Sequence, residues 1–367
     1  MSIVTSSSSL SALIQQYYMP VLYDNIFKKS HPLLALMKQK AQTFNGRQIV
    51  VPVEYQAGGQ TVFGDRHGIA NASSNGYVPT NVEIAQTATY NPEMLTGHFL
   101  LTKEETLLMN SPQAIKNIVG AKVQNLQKQL EKTVAENLFK TSQVSGAFDC
   151  LGKLLNNVSG ASQSVAVGGI TVTTDGNGAF TANEFWQTPV LGVADFADET
   201  GSSGGAHIDE GDLQDPSLDT YILRILARGI AKAKAQTGEN PDLIVMSQYH
   251  YDLLESELGE FKRGSLESDR MAKMGFVGMS YRGIDIISDQ DIVTAQASDI
   301  DGRMYFINTD YLYMFFNSGA KFTASDMVED PQSNTFVQKV HTFGNMVVSN
   351  RKAHCVVKNL YSPRTYG

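Results

Sequence analysis

The chain has 367 residues, 42% hydrophobic and 18% charged, with a formal net charge of −8. That is ample apolar material for a core and length for roughly two domains. An acidic chain is a poor candidate for tight, salt-dependent phosphate binding, which needs clustered Lys and Arg.

The two cysteines, Cys150 and Cys355, lack metal-ligand spacing and read as buried reduced thiols, with a disulfide between them as the alternative. The first residues lack the basic and apolar regions of a leader, and no apolar run approaches the roughly 20 residues that cross a bilayer. These features give the expectation of a soluble chain made in the cytoplasm. In that setting Asn71-Ala72-Ser73 and Asn157-Val158-Ser159 match the glycosylation pattern by chance.

In chain order, Leu10, Leu13, Ile14, Tyr17 and Tyr18 fall on one helical face, in a short segment that must dock on the body or on another chain. Pro20 interrupts it. From Gln48 to Tyr55 apolar residues alternate, with Ile49, Val51, Val53 and Tyr55 on one face, which predicts a strand. Its return is expected through Gly97–Thr102. Between them, Gly58-Gly59, Gly64–Gly68 and Ala70–Gly76 predict a long irregular loop, uncommon in a compact domain unless functional.

A long amphipathic helix is predicted from about Pro112 to Lys140. Ser111 is a suitable N-cap and Pro112 sits at N1. Ile115, Val119, Val123, Leu126, Leu130, Val134 and Leu138 share one arc, with Lys128 and Lys132 opposite and Lys122 and Lys140 at its border. Residues 145–180 predict small strands and turns, and 192–216 an acidic Gly/Ser loop at a domain edge. From Pro216 helices alternate with strands: a helix from Tyr221, a buried strand Pro241–Met246, and a helix from Gln248 capped by Ser247. Further strands are expected at Ile284–Ile287, Met304–Asn308, Tyr311–Phe316, Met346–Ser349 and Ala353–Val357.

No chemistry-bearing motif emerges. Gly176-Asn177-Gly178 lacks the third glycine and strand-to-helix setting of a phosphate loop. There is no Gly-x-Ser-x-Gly elbow. The seven histidines show no ligand spacing. The acidic cluster Asp195, Asp198, Glu199, Asp209, Glu210, Asp212 and Asp215 lacks the register of a dedicated calcium loop, and reads as a solvated loop with a weak cation site as the alternative. Lys128 and Lys132 form either a solvated helix face or a basic stripe toward enclosed nucleic acid. The expectation is a non-enzyme with no cofactor and no metal.

The order of elements resembles the tailed-phage major capsid proteins of the Hong Kong 97-type fold, along essentially the whole chain. Asn25–Met37 is similar to the arm segment of one branch, and Phe44–Tyr55 to its entry into the extended loop. Asn240–Met246 and Met304–Tyr311 are similar to its axial domain, and Val340–Ala353, with Gly344–Arg351, to its C-terminal segment.

The resemblance implies an α+β fold with an N-terminal arm (1–44), an extended E-loop hairpin (45–100) and a peripheral domain (101–190) with a spine helix (112–140). An axial domain (191–335) and returning C-terminal strands (336–367) complete it. It implies a major capsid protein of a tailed double-stranded DNA phage, assembling into the pentamers and hexamers of an icosahedral shell in the host bacterial cytoplasm. The partners implied are copies of itself, a portal, a separate scaffolding protein, a decoration protein and packaged DNA held by non-specific proximity, with no membrane.

The alternatives are an encapsulin-like nanocompartment shell and a phage tail or attachment protein. Some members weld their shells through an E-loop lysine, but residues 41–102 contain none, so no such cross-link is expected. Only about 40 residues precede the loop, whereas family scaffolding domains are larger, so a separate scaffold and no N-terminal trimming are expected. The expected inter-subunit contacts are Leu10, Leu13, Ile14, Tyr17, Tyr18, Phe63, Arg66 and His67, and Lys128 and Lys132 are the candidates for facing the genome if their stripe is not simply a solvated face.

Overall fold

The computed structural model describes residues 32–55, 83–108, 112–157, 162–177, 179–196, 207–258, 279–294, 296, 298–321, 323–330 and 332–364. In chain order, α1 (Pro32–Gln39) leads to β1 (Gln42–Phe44) and β2 (Ile49–Glu54), and β3 (Ala85–Tyr90) and β4 (Glu93–Thr102) precede α2 (Lys103–Leu108) and α3 (Pro112–Leu138). Then come α4 (Leu151–Leu154), β5 (Ser164–Val167), β6 (Ile170–Thr174), β7 (Phe180–Ala182) and β8 (Val190–Leu191). The second half holds α5 (Glu210–Gln214), α6 (Ile222–Thr237), β9 (Leu243–Met246), α7 (Gln248–Leu258), β10 (Met279–Tyr281), β11 (Ile284–Ser288) and α8 (Asp291–Thr294). It closes with β12 (Gly302–Ile307), β13 (Leu312–Asn317), β14 (Thr323–Ala324), β15 (Val328–Asp330), β16 (Thr335–Val348) and β17 (Cys355–Leu360).

Two larger sheets organise the chain. In one, β16 is the spine: it pairs with β4 on one side and with β13, β14 and β15 on the other, and β1 joins β13 in parallel. In the other the order is β10-β11-β9-β12-β17-β8. Its central strands are buried on both faces, which explains the unbroken apolar run of β9. Leu243, Val245, Tyr305, Ile307 and Val356 face one core, while Ile244, Met246, Met304, Phe306, Cys355 and Val357 face the other, packed with Ile222, Ile225, Leu226 and Ile230 of α6.

Helix α3 has the predicted stripe. Val119, Val123, Leu126, Leu130, Val134 and Leu138 are all buried, each spaced three or four residues from the last. Its neighbour α2 starts with a reciprocal cap: Glu105 N–H donates to Thr102 Oγ1 at 3.2 Å, and Thr102 N–H donates to Glu105 Oε2 at 2.9 Å. Cys150 and Cys355 are free and buried, and burial pushes the Cys355 thiol up to about 12.

Two expectations change. The strand at Ile49–Glu54 returns through β3, pairing Ile49 with Tyr90 and Glu54 with Ala85, and not through Gly97–Thr102. That later segment lies in β4 and pairs over ten positions with β16. The reason is length and burial: β4 buries Gly97, Phe99 and Leu101 and needs a long partner, whereas β3 is mostly polar and gave no strand signal.

The sheets also cut across the expected boundaries at 191–335 and 336–367. Strands β13, β14 and β15 belong to the β16 sheet, while β17 inserts between β12 and β8. Half-buried alternation in β13 already separated it from the fully buried strands of the other sheet.

Candidate assembly surface

The β2–β3 ribbon pairs with no third strand among the described residues, and is held instead along its inner face, where Ile49, Val53, Ala88 and Tyr90 are buried. Tyr90 donates its buried hydroxyl to Val348 O at 2.8 Å, and burial raises its pKa well above the ordinary phenol range. Thr89 N–H donates to Gly168 O at 2.7 Å. Gly168 and Gly169 form the two-residue turn between β5 and β6, with φ of 59° and 75°. A β-carbon on Gly168 would come within 3.0 Å of Ala88 and Tyr90, so the turn lies flush against the ribbon. Tyr55 stacks on Phe185, with ring centroids 4.2 Å apart.

A polar node fixes the bend between β3 and β4. Asn345 Nδ2 donates to Asn91 O at 2.8 Å and to Asp149 Oδ2 at 2.9 Å, and Asn345 Oδ1 accepts from Asp149 N–H at 2.7 Å. Lys153 closes the node on Asp149 Oδ1. Below it, Arg351 is 1% exposed and donates to three backbone carbonyls, Leu154 O at 2.8 Å, Trp186 O and Asn156 O. Burial lowers its pKa to about 10. The three carbonyls take up three of the five guanidinium N–H groups, one on each nitrogen, which offsets the cost of holding a charge in a dry site.

Lys122 on α3 donates to Glu105 Oε2 and to Leu100 O, both at 2.6 Å. The ammonium holds the Glu105 carboxyl below the usual carboxylate range. This ties α3, α2 and the outer edge of β4 together. Lys128 and Lys132 lie on the solvent side of α3 with Gln124, Asn125 and Gln129, and Lys132 approaches Glu136 at 3.6 Å. The other expected contact residues, Leu10, Leu13, Ile14, Tyr17, Tyr18, Phe63, Arg66 and His67, lie outside the described residues.

One arrangement imitates a catalytic pair. Ser247 Oγ is 2.8 Å from His250 Nδ1, and His250 Nε2 is 3.0 Å from Tyr361 O. The carbonyl can only accept, so Nε2 carries the proton and Ser247 donates to Nδ1. Both residues are fully buried, and burial lowers the imidazole to about 4. The hydroxyl therefore caps α7, as the sequence predicted, and faces no cleft from which to attack a substrate. Among the described residues, no group of three or more His, Cys, Asp or Glu side chains could hold a metal ion, and no helix is long and apolar enough to cross a membrane.

No family model and no curated protein sequence matches the chain. The capsid asymmetric unit of cyanophage A-1(L) does match in structure, with a TM-score of 0.58 over 90% of this chain and 93% of that one, at 16% identity. The chain has the fold of a phage capsid protein. A second capsid, that of a native GTA particle, matches with a TM-score of 0.50 over 89% of this chain and 90% of that one, at 12% identity.

This is the Hong Kong 97-type capsid fold expected from the sequence, α+β in class. Within that capsid fold, sequence reasoning found α3 and the first ribbon strand, but missed the second strand and the whole anchoring node. The cap Thr102-x-x-Glu105 was a readable signal that was overlooked. Asn345 and Arg351 carried none, because their partners lie more than 150 residues away.

Proposed function

We propose that this chain is a shell-forming subunit, the major capsid protein of a tailed double-stranded DNA phage. The observation that carries this reading is the capsid fold itself, shared over nine-tenths of the chain with the cyanophage A-1(L) capsid unit. The architecture is consistent with it: a two-stranded ribbon that pairs with no third strand among the described residues is marginal alone, and contacts with neighbouring subunits would stabilise it.

In this reading copies associate head to tail into pentamers and hexamers that close an icosahedral shell. The ribbon and the loop it carries, with Phe63, Arg66 and His67, reach a neighbour. The segment bearing Leu10, Leu13, Ile14, Tyr17 and Tyr18 docks on a neighbour or the body. Lys128 and Lys132 face packaged DNA, which is held by proximity more than by grip. A scaffolding protein, a portal and a decoration protein complete the particle, and assembly takes place in the bacterial cytoplasm. The role is structural, with no reaction catalysed.

The test is electron microscopy of particles purified after expression, coupled to nuclease protection of their contents. Closed shells that protect DNA support the reading. Closed shells filled with protein would favour a nanocompartment, and trimers or fibres a tail component.

A further inference from the structure

We propose that the cavity between the C-terminal part of α3, the start of β4 and the loop at 144–148 is a binding site for a small, neutral aromatic molecule with one hydrogen-bond donor, of the indole or phenol class. The site goes beyond the shell-subunit reading and does not depend on it.

The cavity has a volume of about 250 Å³. A cavity of roughly 150 Å³ takes benzene when its walls are apolar, so this one has room for a bicyclic ring. Leu95, Val134 and Phe148 line it, and Val134 and Phe148 are buried. Met94 and Val144 line it as well, yet are 58% and 47% exposed. An apolar ring in the cavity would cover both and remove that surface from water.

The donor is called for by Asn137, which lines the cavity and is 9% exposed. Its Nδ2 donates to Phe148 O at 2.7 Å. That contact fixes the direction of the amide, because the reversed amide would set two oxygens against each other at that distance. Oδ1 is then buried with no hydrogen-bond partner among the described residues. A buried carbonyl is costly to leave unpaired, and it can only accept. A ring with an N–H or O–H on its edge brings the missing donor together with the apolar body.

The charged groups on the wall narrow the class further. Lys140 lines the cavity, and its ammonium has no hydrogen bond or ion pair among the described residues. A nearby cation favours an electron-rich ring over an aliphatic body of the same size. Glu136 lines the cavity too, so Lys140 and Glu136 balance and a neutral ligand fits best. A water molecule is the competing occupant. It would satisfy Oδ1 but leave Met94 and Val144 in solvent.

The experiment compares indole with indene, which has the same shape but a CH₂ group in place of the N–H. Equilibrium dialysis of each against the full-length chain measures binding. Indole should bind with a Kd below about 1 mM, and at least about fivefold more tightly than indene. Ala147→Phe puts a ring into the cavity from a half-buried loop position. It should abolish indole binding with the circular dichroism spectrum unchanged. Asn137→Leu keeps the size and removes the acceptor, and should lower indole binding to the level of indene.

Equal binding of indole and indene to the wild-type chain overturns the role given to Asn137, and this comparison decides the point even if Asn137→Leu fails to fold. Indole binding that survives Ala147→Phe places the ligand elsewhere and overturns the site. Binding of neither compound overturns the inference and leaves water as the occupant. Each of these failures leaves the shell reading intact.

Discussion

Gly97 lies directly beneath Leu126: a β-carbon at position 97 would come 2.7 Å from Leu126 Cδ1 and 3.0 Å from Leu130 Cδ2. Strand β4 and helix α3 meet here because one partner has no side chain. Gly97→Val should overpack this contact and cost about 1–3 kcal/mol, read as a lower midpoint in chemical denaturation. Adding Leu126→Ala should recover part of the loss, since the two positions share one volume. A Gly97→Val chain as stable as wild type would show that the helix is not seated this closely.

Arg351 should be among the most sensitive positions in the chain. Replacing it with Met keeps volume but leaves Leu154 O, Trp186 O and Asn156 O without their donor. At roughly 1–3 kcal/mol per buried group left unsatisfied, the loss should reach at least about 3 kcal/mol. Limited proteolysis should then cut first near residues 154–157, the stretch that Arg351 holds. Lys would not substitute, because one ammonium cannot reach three divergent carbonyls in the guanidinium's plane.

Acid should weaken the fold before most carboxylates titrate. Burial lowers His250 to about 4 and, with the charge of Arg351 adding to burial, His354 to about 3. Their unfolded value is about 6.5. As pH falls below that, the unfolded chain takes up protons that the folded chain refuses, so stability declines from about 6.5 down toward the folded values. The slope should approach roughly 1.4 kcal/mol per pH unit for each histidine. Denaturation curves between pH 6.5 and 5 check this. His250→Gln should halve the slope, and an unchanged slope would remove His250 from the account.

Intact particles should give a single band on a boiled, reduced gel. Residues 41–102 contain no lysine, so a weld between subunits cannot start from an amine in that segment. Ladders of linked chains would contradict this and send the search to lysines elsewhere.

The sequence exposed those parts whose stability is local. The α3 stripe, the Ser247 cap and the fully buried β9 were readable because each shows as a pattern within a few adjacent residues. What stayed hidden depends on distant pairing. Strand β3 is largely Ala, Gln and Thr, and is a strand only because β2 lies beside it. The boundary near 335 failed because β16 serves β4 and β13 together, a division of labour that no local pattern encodes. The candidate contacts from Leu10 to Tyr18 and from Phe63 to His67 remain expectations for the assembled particle.

A subunit of this kind should build a closed shell around DNA. Electron microscopy of purified particles, with nuclease protection of their contents, tests it most directly. Icosahedral particles of uniform size, whose DNA survives nuclease, are the expected result. Open fibres, discrete trimers or a monodisperse monomer with no protected nucleic acid would contradict it.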